Sequence, residues 1–238
     1  LYGCAQTVTV AEITPKHGVA FDVAVADGGA TVGEMARRSK AMAAINGSYF
    51  DIHKRSAITY LRQGRNLIDT TTTAELALRV TGAVRVHGRR VHIIPWNKGI
   101  ERRYRCHHGS TLASGHLLLY QGKGVLLRSS GMGFVIDKHP RSAIALTSRG
   151  TVLFVTVDGR HPGYAGGMNL IELRHFLQQL GCTDALNLDG GGSSTLWAKG
   201  FNASGVANYP CDNHKFDHEG ERKVANALVV VRRGKGVL

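Results

Sequence analysis

One arrangement of residues occurs twice in the chain, and it restricts the fold more than any other feature. In the first copy, Phe21 to Ala26 alternates and then stays apolar as a buried strand does, and Asp27-Gly28-Gly29 breaks it. Thr31, with Glu34 three residues on, forms a capping box for a helix that carries Met35 and Met42 on its apolar side and runs up to Ala43. The chain returns through Ala44-Ile45 to Asn46-Gly47. In the second copy, a strand over 151–157 stops at Asp158-Gly159, and Asn169 with Glu172 forms another capping box. Leu170, Leu173, Leu177 and Leu180 share one face of the helix that follows, and Gly181 is placed to end it. A short strand over 185–188 then enters Asp189-Gly190. Both copies read strand, Asp-Gly turn, helix, short strand, polar residue, glycine. Ile45-Asn46-Gly47 matches Leu188-Asp189-Gly190, which implies an internal strand-helix-strand duplication. Such pseudo-symmetry predicts that two polar turns meet at one end of a sheet, where the crevice outside the strand ends can take a ligand.

The remainder reads largely as β structure. Residues 85–94 form a hairpin pattern about Gly88, and 117–120 with 125–127 form another about Gly122-Lys123-Gly124. Residues 142–147 pair naturally with 151–157 across Ser148-Arg149-Gly150, and Val224 to Arg232 is apolar enough for a central strand. At 238 residues and 43% hydrophobic content, with no linker or low-complexity run, the expected architecture is one α+β domain. Its sheets should be mixed and mostly antiparallel, with a few packed helices. No run approaches the ~18 to 20 apolar residues of a membrane helix.

The sharpest local feature is the turn Asp189-Gly190-Gly191-Gly192-Ser193-Ser194. Glycines let backbone N–H groups approach a ligand closely, and successive exposed amides make a nest for an anion such as phosphate. The adjacent carboxylate can act as acid, base, nucleophile or metal ligand. A flexible turn is the alternative, because Gly and Ser favour turns in any case. The spacing is neither that of a phosphate-binding P-loop nor that of a Gly-x-Ser-x-Gly elbow.

Several ordered blocks resemble the phosphodiester glycosidase family. They are 44–51 (Ala-Ile-Asn-Gly-Ser-Tyr-Phe-Asp), 139–145 (His-Pro-Arg-Ser-Ala-Ile-Ala), and Val157-Asp158-Gly159-Arg160 followed by 167–173. The stretch 180–194 is the most specific, and 221–228 closes the set. The resemblance implies hydrolysis of the bond between a sugar anomeric carbon and a phosphodiester, on glycans or cell-envelope polymers. Residues 95–115 and the His-rich stretch His214 to His218 look particular to this chain.

Such a substrate needs donors for the phosphate, an acid where the leaving oxygen is basic enough to require one, and a carboxylate to attack or to activate water. Asp189 and Asp158 are the expected carboxylate pair, each following an apolar strand and preceding Gly. Glu172 is a third catalytic candidate that already has a structural task in its capping box. Arg141, which follows Pro140 at the start of a strand, can present two donors to a phosphate. Asn46 can bind a sugar hydroxyl or merely shape the turn before Gly47. Gly190, Gly191, Gly192, Ser193 and Ser194 are expected to bind phosphate through the turn, and the resemblance adds Arg222 and Asn226 as substrate-binding candidates. No motif demands a cofactor, although hard oxygen ligands on Asp158, Asp189 and Asn46 suit Ca2+ or Mg2+.

Composition narrows the partners. With 30 Lys+Arg against 17 Asp+Glu the formal charge is +13, which favours anions: a sugar phosphate, nucleic acid or an anionic polymer. The densest basic group, Arg102-Arg103-x-Arg105 with His107 and His108, lacks the repeated aromatics of a base-stacking platform, so nucleic acid is the weaker expectation. Cys4, Cys106, Cys182 and Cys211 permit two disulfides in an oxidising compartment, or four thiols. A third arrangement joins Cys211, His214 and His218 with Cys106, His107 and His108 around zinc. Leu1-Tyr2-Gly3-Cys4 has some likeness to the end of a lipoprotein signal. The expectation is a secreted or periplasmic protein, free or tethered to a membrane through a removed N-terminal segment.

Overall fold

A computed structural model describes residues 3–106, 108–127 and 132–232. Leu1 and Tyr2 of the lipoprotein-like start and His107 of the basic cluster lie outside the described residues. The chain is α+β, built on three antiparallel sheets.

The first sheet contains β1 (Val8–Ile13), and the second begins with β2 (Val19–Ala30) and β3 (Ala41–Asn46). The third sheet takes β4 (Leu61–Gln63), β5 (Asn66–Asp69), β6 (Gly82–His87), β7 (Arg90–Pro95) and β8 (Ser110–Ser114), in the order β5-β4-β8-β6-β7. The first sheet is completed by β9 (Leu117–Tyr120), β10 (Lys123–Gly124), β11 (Arg141–Thr147), β12 (Val152–Val157) and β13 (Cys182–Asn187), ordered β1-β12-β11-β13-β9-β10. The second is completed by β14 (Leu196–Ala198) and β15 (Val224–Arg232), ordered β14-β3-β15-β2. The helices are α1 (Val32–Arg38), α2 (Thr73–Leu78), α3 (Lys98–Arg103), α4 (Met132–Ile136) and α5 (Leu170–Gln179).

The duplication is visible in the topology. β2 and β3 both pair antiparallel with β15, so they run parallel with one strand between them; β12 and β13 stand in the same relation to β11. Each pair is joined by a helix whose capping box is fully formed: Thr31 with Glu34 on α1, Asn169 with Glu172 on α5. The strand orders β14-β3-β15-β2 and β9-β13-β11-β12 are therefore equivalent. Apolar faces follow. Phe21, Ile45 and Leu228 from one sheet meet Ile144, Phe154 and Leu186 from the other, with Val84 and Leu112 of the third sheet, in a shared core. On the outer faces, α1 packs Val32 and Met35 onto the second sheet and α5 packs Leu170, Leu173 and Leu177 onto the first.

The strand register corrects the sequence alignment of the two copies. Ala227 faces Asn46, and Ala143 faces Asn187, so the partner of Asn46 in the repeat is Asn187, two residues before Asp189. The backbone agrees: Gly47 N–H donates to Asn226 O and Leu188 N–H to Ser142 O, in equivalent places. Matching the glycines led the alignment astray, because a shift of two residues leaves every side chain on the same face of a strand.

Two local expectations also change. β2 does not end at Asp27 but continues to Ala30, since Gly28 and Gly29 take φ of 70° and 81° and form a bulge opposite β15, which pairs Val224 with Ala30 and Asn226 with Val25. α1 ends at Arg38, not near Ala43: Lys40 turns the chain at φ 52° and Met42 lies in β3. The hairpin about Gly88, the pairing of β11 with β12 and the central position of β15 follow the sequence reading.

Candidate active site

The two turns meet as the pseudo-symmetry requires. Asp189 N–H donates to Gly47 O (2.9 Å), and Asn46 Nδ2 donates to Asp189 O (2.7 Å), so each turn holds the other's backbone. Asn46 Oδ1 in turn accepts from Ser142 Oγ (2.7 Å) and Thr195 N–H (3.1 Å). Asn46 is 1% exposed, and every atom of its amide has a protein partner. Asn226 clamps the same turn from β15, accepting from Ser48 N–H at 2.8 Å. It packs so tightly on Gly47 that a methyl group there would strike its Oδ1. Both asparagines, expected to bind substrate, thus support the turn that carries Asp189.

Asp189 sits in a recess that solvent reaches, with protein on all other sides. Burial pushes its carboxyl up to about 6, against the opposing influence of Ser193, the Arg79 guanidinium, the Gly190 N–H and the Arg222 guanidinium. Ser193 Oγ makes no hydrogen bond of regular geometry, so its influence is that of a nearby dipole. Asp158 is buried, and burial raises it likewise to about 6. Its Oδ1 accepts from Asn208 Nδ2 (2.8 Å) and Tyr209 N–H (3.1 Å). Asn208 also donates to Ser194 O at 3.0 Å, which ties Asp158 to the glycine turn. Asp158 Oδ2, Asn187 Oδ1 and the hydroxyls of Ser193, Ser194 and Thr195 are buried without a hydrogen-bond partner, a concentration of unmet polar atoms beside one carboxylate.

The glycine turn is not the open amide nest that its composition suggests. Residues 191–193 form a single 3-10 turn. The N–H groups of Gly190, Gly191, Ser193 and Ser194 donate to Asp189 Oδ1, Pro140 O, Gly190 O and Gly191 O respectively. Positive charge at the turn comes from side chains. Arg222 forms a two-point ion pair with Asp212 (2.6 and 2.8 Å) that lies directly on Gly192, where any Cβ would clash with both. The Arg160 guanidinium lies over Gly191. Arg79, held by Glu75 at 2.8 and 2.9 Å, stacks on the Tyr49 ring with 3.7 Å to its centroid. Burial drives the Tyr49 hydroxyl far above its ordinary value, with the Asp189 charge contributing, so it stays a neutral donor to Gly115 O. Arg79 and Arg160 are not among the candidates that the sequence offers: Arg79 lies between the family-like blocks, and Arg160 closes the block Val157-Asp158-Gly159-Arg160 without a spacing that assigns it a role.

Arg141 differs from the expected phosphate fork. It is 1% exposed and donates from Nε to Met168 O (2.9 Å) and from Nη2 to Phe134 O and Asp137 O (2.9 and 3.0 Å). Burial pulls it down to about 10. It fastens α4 and the 168 loop to β11, and its charge lies behind Phe134, which also faces Arg79. Glu172 is engaged as the sequence allowed: its Oε2 accepts from Asn169 N–H (2.9 Å), its Oε1 pairs with Lys138 (2.7 Å), and its equivalent in the repeat is Glu34, also a capping residue. Glu172→Gln should therefore keep the box, since Gln also serves there, and cost under about 1 kcal/mol in denaturant unfolding. Its turnover should stay within about twofold of the parent, where a catalytic acid would lose on the order of a hundredfold or more.

A stack of rings flanks Asp158. Tyr164, Phe216, Tyr209 and His218 follow one another face to face, with centroids 4.9, 4.0 and 4.4 Å apart. They fix the His-rich loop, expected to be particular to this chain, beside the site.

Of the arrangements open to the cysteines, the structure shows the thiols and not the disulfides. Cys4, Cys106, Cys182 and Cys211 are all thiols. Cys182 is buried at the start of β13, where desolvation lifts it to about 11. Cys211 accepts from Arg160, and Cys106 accepts from Arg85 on the third sheet, so no zinc cluster forms across them. Among the described residues no group of three or more His, Cys, Asp and Glu converges on one point. Asn46 Oδ1 and Asp158 Oδ1 each already accept two hydrogen bonds, which leaves Asp158 Oδ2 and the Asp189 carboxylate as the oxygens of this set open to a Ca2+ or Mg2+ ion.

Comparison with known proteins finds relatives in sequence and in fold. The chain is 35% identical over 80 residues to the mouse N-acetylglucosamine-1-phosphodiester alpha-N-acetylglucosaminidase, covering 34% of this chain and 14% of that protein. It is 41% identical over 63 residues to the SPbeta prophage-derived uncharacterized protein YomE of Bacillus subtilis (strain 168), covering 26% of this chain and 10% of YomE. The matches thus span a small part of both curated relatives. The catalytic domain of the zebrafish N-acetylglucosamine-1-phosphodiester alpha-N-acetylglucosaminidase, solved auto-inhibited by its pro-peptide, superposes with a TM-score of 0.71 at 19% identity, over 96% of this chain and 83% of that one, which shows a shared fold. The model of the phosphodiester glycosidase family matches residues 39–231, well over half of the chain, so the chain belongs to that family.

Proposed function

We propose that the protein hydrolyses the glycosidic C–O bond of a sugar-1-phosphodiester, with Asp189 as the reacting carboxylate. The observation that carries this reading is one solvent-reached carboxylate, raised to about 6, with the guanidinium groups of Arg79 and Arg222 in electrostatic reach. A carboxyl poised there ionises at neutral pH yet remains basic enough to attack an anomeric carbon or to activate water. The guanidinium groups supply what a departing phosphate monoester needs: fixed positive charge at the place where negative charge develops. A phosphate monoester leaves readily, so a strong general acid is dispensable. Asp158, buried and bonded through one oxygen to Asn208 and Tyr209, supports the turn from behind in this reading. The formal charge of +13 suits an anionic glycan or cell-envelope polymer, which supports a role outside the cytoplasm. Among the described residues no helix is long and apolar enough to cross a membrane.

The test is hydrolysis of a sugar-1-phosphodiester in 18O water with both products analysed by mass spectrometry. Label should enter the anomeric hydroxyl of the free sugar and leave the phosphate monoester unlabelled. Label in the phosphate would make the protein a P–O diesterase or nuclease; tight, salt-sensitive binding without product would make it a binder of anionic glycan or nucleic acid.

A further inference from the structure

The basic group around Arg102 has no part in the Asp189 recess, but it does line a second cavity. This cleft, about 350 Å³, opens between the third sheet, α2 and α3. Arg62, Lys98, Arg102 and Arg105 contribute four cations to its wall, and Glu101 the one carboxylate. That carboxylate is fully engaged with protein, accepting from Thr71 N–H (2.9 Å), Thr71 Oγ1 (2.6 Å) and Trp96 Nε1 (2.7 Å). Its single charge leaves the wall with an excess of positive charge.

Stability does not account for such a cluster. Lys98 and Arg102 stand four residues apart on a six-residue helix, a like-charge spacing that disfavours the helix. Arg105 donates only to the backbone carbonyls of Arg102 and Tyr104. The floor of the cleft is rigid: Tyr60, Trp96 and Tyr104 pack edge-on or tilted with centroids 5.0 to 5.8 Å apart. Arg62, nearly buried, is held there by its Nε donating to Tyr60 Oη at 2.8 Å. Exposed cations, in excess over the one carboxylate, thus surround a fixed aromatic floor with a fixed guanidinium, which is the chemistry of a receptor for a phosphate or sulfate group.

Its position links it to the recess. Thr73 and Leu76 of α2 line the cleft, while Arg79, which caps the same helix, reaches Tyr49 and the Asp189 field. At 1.5 Å per residue Thr73 and Arg79 are roughly 9 Å apart along the axis, so one short element carries a wall of the cleft at one end and a cation of the Asp189 field at the other. We infer that this cleft binds a second anionic unit of a polymeric substrate whose phosphodiester is cut at Asp189. The polymer role rests on the proposed function; anion binding in the cleft does not.

Two measurements separate them. The first titrates inorganic tripolyphosphate and follows binding by calorimetry in the parent protein, in the exposed-residue pair Lys98→Gln/Arg102→Gln, and in a charge-matched control, Lys16→Gln/Lys199→Gln. The parent and control should saturate alike, and the cleft pair should bind about tenfold more weakly or not at all. Equal weakening in the control and the cleft pair, or none in the cleft pair, would overturn the anion site. The second compares kinetics on a single sugar-1-phosphodiester with those on an oligomer carrying several. The cleft pair should raise KM for the oligomer about tenfold and leave both constants for the single unit unchanged. KM values unchanged on both substrates, or raised equally on both, would overturn the second-unit role. Selective loss of tripolyphosphate binding in a protein that turns over neither substrate would sink the hydrolase reading and leave the anion cleft standing.

Discussion

Asp189→Asn should lower kcat on a sugar-1-phosphodiester by on the order of a thousandfold while the protein remains folded and, at pH 7, becomes more stable. The two halves of this expectation have one cause. The carboxyl is raised to about 6 from 3.8 because protein has displaced water around it. A group that holds its proton more tightly folded than unfolded stabilises the native state below its unfolded pKa, and that contribution is lost as pH rises through about 6. At pH 7 the ionised form accordingly costs up to about 3 kcal/mol, reduced by whatever solvent the recess admits. The amide has the same shape, can still accept from the Gly190 N–H, and carries no charge to desolvate. Urea midpoints at pH 7 should rise in the variant. The decline in stability between about pH 4 and pH 6 should become shallower but not vanish, because Asp158 is raised to a similar value. Full turnover by Asp189→Asn would end the assignment of this residue; loss of turnover together with loss of stability at pH 7 would mean that the carboxylate is structural.

That a carboxylate destabilising to the fold sits at the meeting point of two repeated units explains why some of this site was legible in the chain and some was not. Local chemistry reads well. Thr31 with Glu34 and Asn169 with Glu172 form the capping boxes expected of them, because a box requires only four consecutive residues. β15 lies in the middle of its sheet, as its continuous apolar run demands. Asp189 and the turn after it also stand out, since glycines behind a buried strand are costly unless close approach requires them. What escapes a linear reading is anything fixed by contact between distant segments. Arg79 and Arg160 look like surface arginines until Tyr49 and Gly191 are brought beneath them. Arg141 reads as a phosphate ligand until three carbonyls close on it. The four cysteines suggest pairing, but spacing along a chain says nothing about separation in space. The supposed amide nest fails for a related reason: glycines permit a nest, but they equally permit a tight turn that uses its own amides, and Pro140 O is placed to complete the turn.

The same division between substrate contact and scaffold decides the case of Asn46. Asn46→Ala should destabilise the protein by about 4 kcal/mol in denaturant unfolding, one of the largest single losses available in this chain. Removal of the amide leaves Ser142 Oγ, Thr195 N–H and Asp189 O without their partner in a region closed to water, and each unmet buried group costs about 1–3 kcal/mol. The loss is concentrated where β3, β11 and the loop before β14 converge, so it should also loosen the backbone that aims Asp189. kcat should fall more than KM rises. Asn46→Asp separates the contributions further. It retains an acceptor for Ser142 and Thr195 but turns the donor to Asp189 O into a second acceptor, setting oxygen against oxygen and adding negative charge beside the reacting carboxylate. Turnover should drop further than in the alanine variant at pH 7 and recover in part as pH falls. A sugar-binding Asn46 would give the opposite pattern: a raised KM, a nearly normal kcat and an unfolding midpoint close to that of the parent. Because the amide of Asn46 holds both the partner sheet and the carbonyl of Asp189, the pseudo-symmetric turn built for stability and the turn built for chemistry cannot be altered independently.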